Sequence, residues 1–320
     1  MDLEMRHLRA VVAVADHGGY SAAGQRLHLA QSSLSRTVQE VERRLGVALF
    51  ERTTRAVRPT VDGERFVALA RDVLSHADAA LRHFEGYLAG TRGTVSVAAL
   101  PSLAATLLPP VVSALRERLP EVTVRIRDGL SAEVLDHLRS GRADLAVTVA
   151  DTVPPGPHTR PVAADRFHCV CAVDHPFADR ADVSWADLSG EPFVAFDATS
   201  SIRAYVDRTL TRQRVELGPV TEARNVGAVA GLAAAGLGVS AVPALVLPLM
   251  SFADLHHRPL TGPAVERDIR LVHDPARPLS ATALAMRDLL ETASTHALRL
   301  PHGARWVTRH ARDTTDEPLR

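Results

Sequence analysis

Between Tyr20 and Leu45 the chain reads as a short helix, a turn and a second helix with two chemically different faces. Leu34, Val38, Val41 and Leu45 recur at spacings of four, three and four and make one apolar stripe. Ser32, Arg36, Gln39 and Arg43 share that spacing on the opposite side, within about 60° of one another on a 3.6-residue period. One face packs. The other carries hydroxyls, an amide and guanidinium groups, which can bond base edges and phosphates in a groove wide enough for a helix. An ordinary amphipathic surface helix has the same pattern, so the flanking sequence decides.

The flanks build a helix-turn-helix over residues 20–39. Glu4 to His17 reads as a first helix with Met5, Leu8, Val12 and Ala15 inward, ended by Gly18-Gly19. Ser21 is the expected N-cap of a second helix over Ala22–Leu27, His28-Leu29-Ala30 is the turn, and Gln31 or Ser32 opens the third helix, which Gly46 stops. Val47 to Thr60 reads as a two-stranded basic wing carrying Arg52, Arg55 and Arg58, which completes a winged helix-turn-helix over residues 1–60. Net charge is near zero, but residues 1–60 hold nine Arg against six acids, and the chain has no Lys. Gln31, Ser32, Ser33, Ser35, Arg36 and Gln39 are the expected groove-facing set, with Arg36 and Gln39 suited to G and A edges. Arg43, Arg52, Arg55 and Arg58 are expected on phosphates, though a solvated surface charge is the plain alternative for each.

Thr60 caps a helix expected over residues 61–90. Its apolar positions Phe66, Ala70, Val73, Ala77, Ala80, Phe84 and Tyr87 alternate spacings of four and three, a heptad seam. Phe66, Val73, Ala77, Ala80 and Phe84 are therefore expected to pair two copies of the chain; packing on the chain's own body is the alternative. After Gly93 strands and helices alternate: a strand Thr94–Leu100, a helix Ser102–Leu119, a strand Glu121–Asp128, a helix Ser131–Ser140 and a buried strand Ala143–Ala150. After a loop with four prolines (Asp151–Pro161) a second such array runs to Val242, and the chain returns through Val265–His273 and a final helix, Leu279–His296. The expected fold class is α/β multi-domain: the winged module, a linker helix, and a two-lobed α/β domain over 91–300 with a mostly parallel sheet. Lobe I covers about 91–161 and 263–300, lobe II about 162–262, with crossovers near Pro161 and Pro259. Residues 301–320 read as a mobile polar tail.

Several function classes find no support. Cys169 and Cys171 lie two apart in an apolar strand and read as buried, inert thiols of a reducing cytoplasm. The charge-free stretch Asn225–Ala253 is long enough for a membrane span, but Gly227, Gly231, Gly236, Gly238, Pro243 and Pro248 divide it. No h-region follows the charged N-terminus. Fifteen His are present without H-E-x-x-H or zinc spacing, and G-x-S-x-G and phosphate-loop motifs are missing. No metal, cofactor or enzyme activity is expected. A stand-alone solute-binding module would explain residues 93–295 but not the first ninety.

Whole segments are recognisable at this point. HLRAVVAVADHGGYSAAGQRLHLAQSSLSRTVQEVERRLGVALFERTTRAVRPTVDGERF closely resembles the LysR-type transcriptional regulators. The helix-turn-helix, LGVALFER, TTR and the T-x-x-G opening the linker helix occur in order. LPPVVSALRERLPEV, LRSGRADLAV, DHPFA (Asp174–Ala178) and VAGLAAAGLGVSAVPA (Val229–Ala244) agree, so the resemblance spans residues 3–295. It implies a regulator of double-stranded operator DNA whose C-terminal domain, like a periplasmic binding protein, takes a small effector between its lobes. It also implies a homodimer or homotetramer with antiparallel linker helices, and RNA polymerase is a candidate partner. Three positions depart from the family pattern. Gly24 stands where Ala is usual, an expected loss of about 1 kcal/mol of helix stability. Ser32 stands where Pro is common and is expected to cap the recognition helix, and Pro59 replaces the usual Leu.

In the two-lobed domain four helix starts are expected at the carboxyl ends of strands: Ser102, Leu130-Ser131, Ser200-Ser201 and Asn225-Val226. Helix N-termini offer N–H groups and partial positive charge, which with hydroxyls favour a small anion such as a carboxylate. Arg203, one turn into its helix, is an expected salt-bridge partner. Plain N-capping explains the Ser and Asn residues equally well.

Overall fold

The computed structural model describes residues 3–52, 57–88, 93–153, 158–296 and 298–307. It divides into two compact units: residues 1–84 form the body of one, and residues 85–320, apart from 140–142, the other.

The first unit holds α1 (Met5–His17), α2 (Tyr20–Leu27), α3 (Gln31–Leu45), an antiparallel hairpin of β1 (Phe50–Arg52) and β2 (Val57–Pro59), and α4 (Val61–Leu88) as far as Phe84. Val11, Val14, Ala23, Leu34, Val38, Val41 and Leu49 are fully buried together. The inner face of α1 is rotated from the expected stripe: Leu8, Ala10, Val11 and Val14 are buried, while Met5, Val12 and Ala15 are half-buried. Ser21 is not a cap, because α2 already begins at Tyr20 after Gly19. Gly24 is required where the turn doubles back. A Cβ there would lie 2.8 Å from the Leu29 carbonyl oxygen, and the Leu29 N–H donates to the Gly24 carbonyl at 2.9 Å. The T-x-x-G run has a comparable cause. Thr60 Oγ1 accepts from the Gly63 N–H at 3.0 Å, donates to the Ala48 carbonyl, and so caps α4. A Cβ at Gly63 would lie 1.9 Å from the Leu49 carbonyl oxygen.

The second unit runs β3 (Thr94–Ala99), α5 (Pro101–Thr106), α6 (Leu108–Arg118), β4 (Thr123–Asp128), α7 (Ser131–Arg139), β5 (Leu145–Val149), β6 (Thr159–Cys171), β7 (Val183–Ser184), β8 (Phe193–Phe196), α8 (Ser201–Gln213), β9 (Val220–Ala223), α9 (Val226–Ala234), β10 (Ser240–Pro243), β11 (His256–Thr261), β12 (Glu266–Val272), α10 (Ala281–Glu291) and β13 (Ala304–Trp306). The expected helix Ser102–Leu119 is two helices, since Pro109 and Pro110 supply no N–H and suit the first turn of a new one. β3 lies between β4 and β5, parallel to both, and β8 is parallel to β9. β11 is parallel to the short β7, but the mostly parallel sheet expected from the alternation does not form. β12 runs antiparallel to β5 and β6, and β10, β11 and β13 run antiparallel to β6.

β6 belongs to both lobes. Residues 159–166 pair with β12, while residues 167–170 pair with β10 and 168–171 with β11. The first crossover therefore falls at Arg166-Phe167, not near Pro161, and the second between Thr261 and Glu266. Beside it lies a salt bridge with no solvent exposure: Arg267 donates from Nε and Nη2 to the Asp165 carboxylate at 2.9 and 2.7 Å, and Asp165 also accepts the Leu245 N–H. Residues 301–307 are not a loose tail, because β13 pairs with Ala163–Asp165 and Trp306 Nε1 donates to the Leu298 carbonyl; residues 308–320 lie outside the described residues. Among the described residues no helix is long and apolar enough to cross a membrane, and the charge-free stretch is α9, β10 and the 3₁₀ run Ala244–Ala253. Cys169 and Cys171 are buried free thiols, and burial pushes the Cys169 thiol well above its ordinary pKa.

Candidate nucleic-acid interface and effector cleft

In α3 the apolar stripe is the floor of the module and the polar stripe is its outer surface. Leu34, Val38 and Val41 are fully buried; Gln31, Ser32, Ser33, Arg36, Gln39 and Arg43 are exposed, and Ser35 is half-buried. The Arg43 side chain is 77% exposed, and its nearest acid, Glu40, is 4.0 Å away. Ser32 is not the cap. Ala30 holds that position without a side-chain bond, so the hydroxyls of Ser32 and Ser33 stand on an uncapped first turn. Such a turn leaves backbone N–H groups for an anion. Glu42 fixes the helix to the wing by accepting from the N–H groups of Leu49 and Phe50 at 2.9 and 3.2 Å. Arg58 is exposed on β2; Arg52 is in β1, and Arg55 lies outside the described residues.

Along α4 the seam splits. Phe66 is half-buried against the core of the first unit, together with buried Val67 and Ala70. Further on, Val73 and Phe84 are 41% and 56% exposed, Ala80 is exposed and Ala77 half-buried.

In the second unit the expected helix starts fall in pairs. β3 and β4 are neighbours and place Ser102 beside Leu130-Ser131; β8 and β9 are neighbours and place Ser200-Ser201 beside Asn225-Val226. Two contacts join the lobes. Tyr205, in α8, donates to Asp151, just past β5, at 3.0 Å, and Arg208 pairs with the same carboxylate at 2.6 Å. On the other side Thr106 bonds the Leu245 carbonyl at 3.0 Å. Most helix starts are capped from within. Glu133 accepts the Leu130 N–H, Ser200 the Ile202 N–H and Asn225 the Gly227 N–H. Ser131 Oγ is buried without a partner.

Arg203 does not stand open to the cleft. Nε donates to both oxygens of Asp207, and Nη1 donates to Glu222 at 2.7 Å and to the Phe196 carbonyl at 2.9 Å. Its carboxylate partners lie four and nineteen residues away, and only the first spacing is visible along one helix. Tyr205, Asp151 and Arg208 went unnoticed in the sequence for the same reason, as the first two are 54 positions apart. Asp197 also lies at this edge, and bonds from Thr199 hold its carboxyl below the usual range.

Comparison with known proteins agrees along the length of the chain. Residues 5–64 match the model of the bacterial regulatory helix-turn-helix proteins of the lysR family, and residues 88–295 the LysR substrate binding domain. The regulator YfeR of Shigella flexneri is 30% identical over 91% of this chain and 94% of its own. The transcriptional dual regulator GltC of Bacillus subtilis is 30% identical over 88% of this chain and 94% of its own. Among solved structures, CbnR complexed with its target DNA superposes with a TM-score of 0.71 at 22% identity, covering 90% of this chain and 99% of that one, a likeness of fold.

Proposed function

This chain belongs to the LysR family of bacterial regulatory helix-turn-helix proteins, and from that premise we propose how its two units divide the work of a transcriptional regulator. The first unit reads operator DNA. The observation that carries this is the exposed stripe on α3 above a fully buried apolar one. Gln31, Ser32, Ser33, Ser35, Arg36 and Gln39 face the groove, and Arg36 and Gln39 discriminate bases. Arg43, Arg52, Arg55 and Arg58 neutralise phosphates. Val73, Ala77, Ala80 and Phe84 pair two copies, and dimers assemble further into tetramers. The chain works in the cytoplasm, contacts RNA polymerase at its promoters and catalyses no reaction.

The second unit senses a small effector between the Ser102–Ser131 edge and the Ser200–Asn225 edge, with Leu130, Ser201 and Val226 beside them. The unpartnered hydroxyl of Ser131 supports this placement. Arg203 is left out of that set, because Asp207 and Glu222 already hold it. A small carboxylate suits the remaining helix starts, with its oxygens on hydroxyls and N–H groups. A stand-alone solute-binding module is set aside, since residues 5–64 match the DNA-binding family model.

Fluorescence anisotropy with the intergenic DNA upstream of the gene tests the DNA reading. Saturable binding that falls steeply with salt is expected; binding no tighter than to unrelated DNA overturns it. A thermal-shift panel of organic acids against their amides tests the effector reading, and no stabilisation by any acid overturns the anionic ligand.

A further inference from the structure

Outside the cleft, the second lobe carries a half-open apolar cavity of about 370 Å³, large enough for a small organic molecule. Val170, Leu247, Met250 and Leu255 form much of its wall, with Val170 and Met250 buried, while His257 and His302 are exposed at its rim. His302 comes from chain beyond residue 295, where the matched family model ends. That segment is held firmly. The Arg166 N–H donates to the Gly303 carbonyl and the Val307 N–H to the Val162 carbonyl, both at 2.9 Å, and β13 pairs with β6 between them.

The groups around the rim that can carry charge are mostly basic. The charged groups acting on His257 are Arg258, His256 and His302, and its ring stands edge-on to that of His168 at 5.8 Å. His168 in turn feels His257 and His302, with Asp165 the one opposing charge. An apolar wall with a rim of imidazoles lacks an anionic head group on an apolar body.

We propose that this cavity is a second small-molecule site for an amphipathic weak acid, its apolar body seated on Val170, Leu247, Met250 and Leu255 and its carboxylate on His257 and His302. The site is independent of the interlobe cleft. A carboxylate there favours the protonated form of the His257 imidazole, so binding takes up a proton and tightens as the pH falls. Because His302 lies two residues before β13, an occupant also bears on the segment that pairs with β6 at the crossover.

Isothermal calorimetry on the full-length chain tests this, with phenylacetate as the probe and phenylacetamide as its uncharged analogue. Saturable binding of phenylacetate is expected, at least about tenfold tighter at pH 6 than at pH 8, the size of one charge-assisted hydrogen bond. Phenylacetamide is expected to show no such pH dependence. At pH 6, His257→Gln and His302→Gln are each expected to weaken phenylacetate about tenfold. Both residues are exposed, so the variants are expected to keep the wild-type far-UV spectrum. Leu247→Trp, which fills the cavity, is expected to abolish binding. No saturable binding at pH 6 overturns the proposal, as does binding unchanged in both glutamine variants and in Leu247→Trp.

Discussion

Asp165 and Arg267 show how much a single buried residue can hold. Each is shielded from solvent and bonded bidentately to the other, and Asp165 also ties Leu245 to the crossover. Asp165→Asn leaves the guanidinium buried without its counter-charge, and the expected loss is about 3–5 kcal/mol, read from urea unfolding. Asp165→Leu combined with Arg267→Met removes both charges and is expected to cost less than the single change. On the reading surface, Arg36→Ala is expected to weaken operator binding by about 1–3 kcal/mol at fixed salt and to spare binding to unrelated DNA. Equal weakening on both DNAs would demote Arg36 to a phosphate contact. Gly24 reverses an expectation. By helix propensity alone Gly24→Ala stabilises, yet the Leu29 carbonyl occupies the space a methyl needs. The variant is expected to melt below wild type, because a backbone atom cannot move aside as a side chain can. Propensity is legible in sequence at residue 24, and the close approach of residue 29 is not.

At the scale of elements the hydrophobic periods predicted most of what formed. The 3.6-residue rows of α3 and α4 and the short apolar runs of β3 and β5 are local patterns, and they survive packing. Failures came where a partner decides. The first half of β6, rich in small and polar residues, carries no apolar run to mark it and becomes a strand through β12 and β13. β13 itself is a three-residue strand with no alternation to notice, and it exists because the open edge of β6 accepts it. α4 shows the reverse case, a pattern with nothing yet on it. Phe84 and Val73 expose large apolar surface, on a helix that also exposes Leu69 and Leu81. Phe84→Glu is expected to weaken self-association at least about tenfold by sedimentation equilibrium, since it puts a charge into a heptad seam. An unchanged distribution of species would remove α4 as the pairing surface.

For the molecule as a whole, acid is expected to destabilise in two stages. Burial lowers the pKa of His168, His257 and His273. The unfolded chain therefore binds more protons than the folded one as the pH falls through 6.5, so stability held above that pH is lost below it. Asp187, Asp197 and Glu266 have lowered pKa values through hydrogen bonds and ion pairs. Their stabilisation is present above the ordinary carboxylate range and fades below it. A melting temperature that drops between pH 7 and pH 5.5, and drops less in His168→Gln, is the expected calorimetric result; an identical slope in the variant would exonerate His168. The two-unit plan was legible because an Arg-rich helical start and a βα alternation differ in composition and period. The cleft was only half legible. Sequence marks where helices begin, but the commitment of Arg203 and the bond from Tyr205 to Asp151 depend on distant segments meeting. β6 carries a last consequence. Neither lobe can melt and leave the other whole, because the strand that each needs is the same strand. Heating is expected to take both apart in one cooperative step, and a mutation deep in either is expected to lower the temperature of that one shared transition.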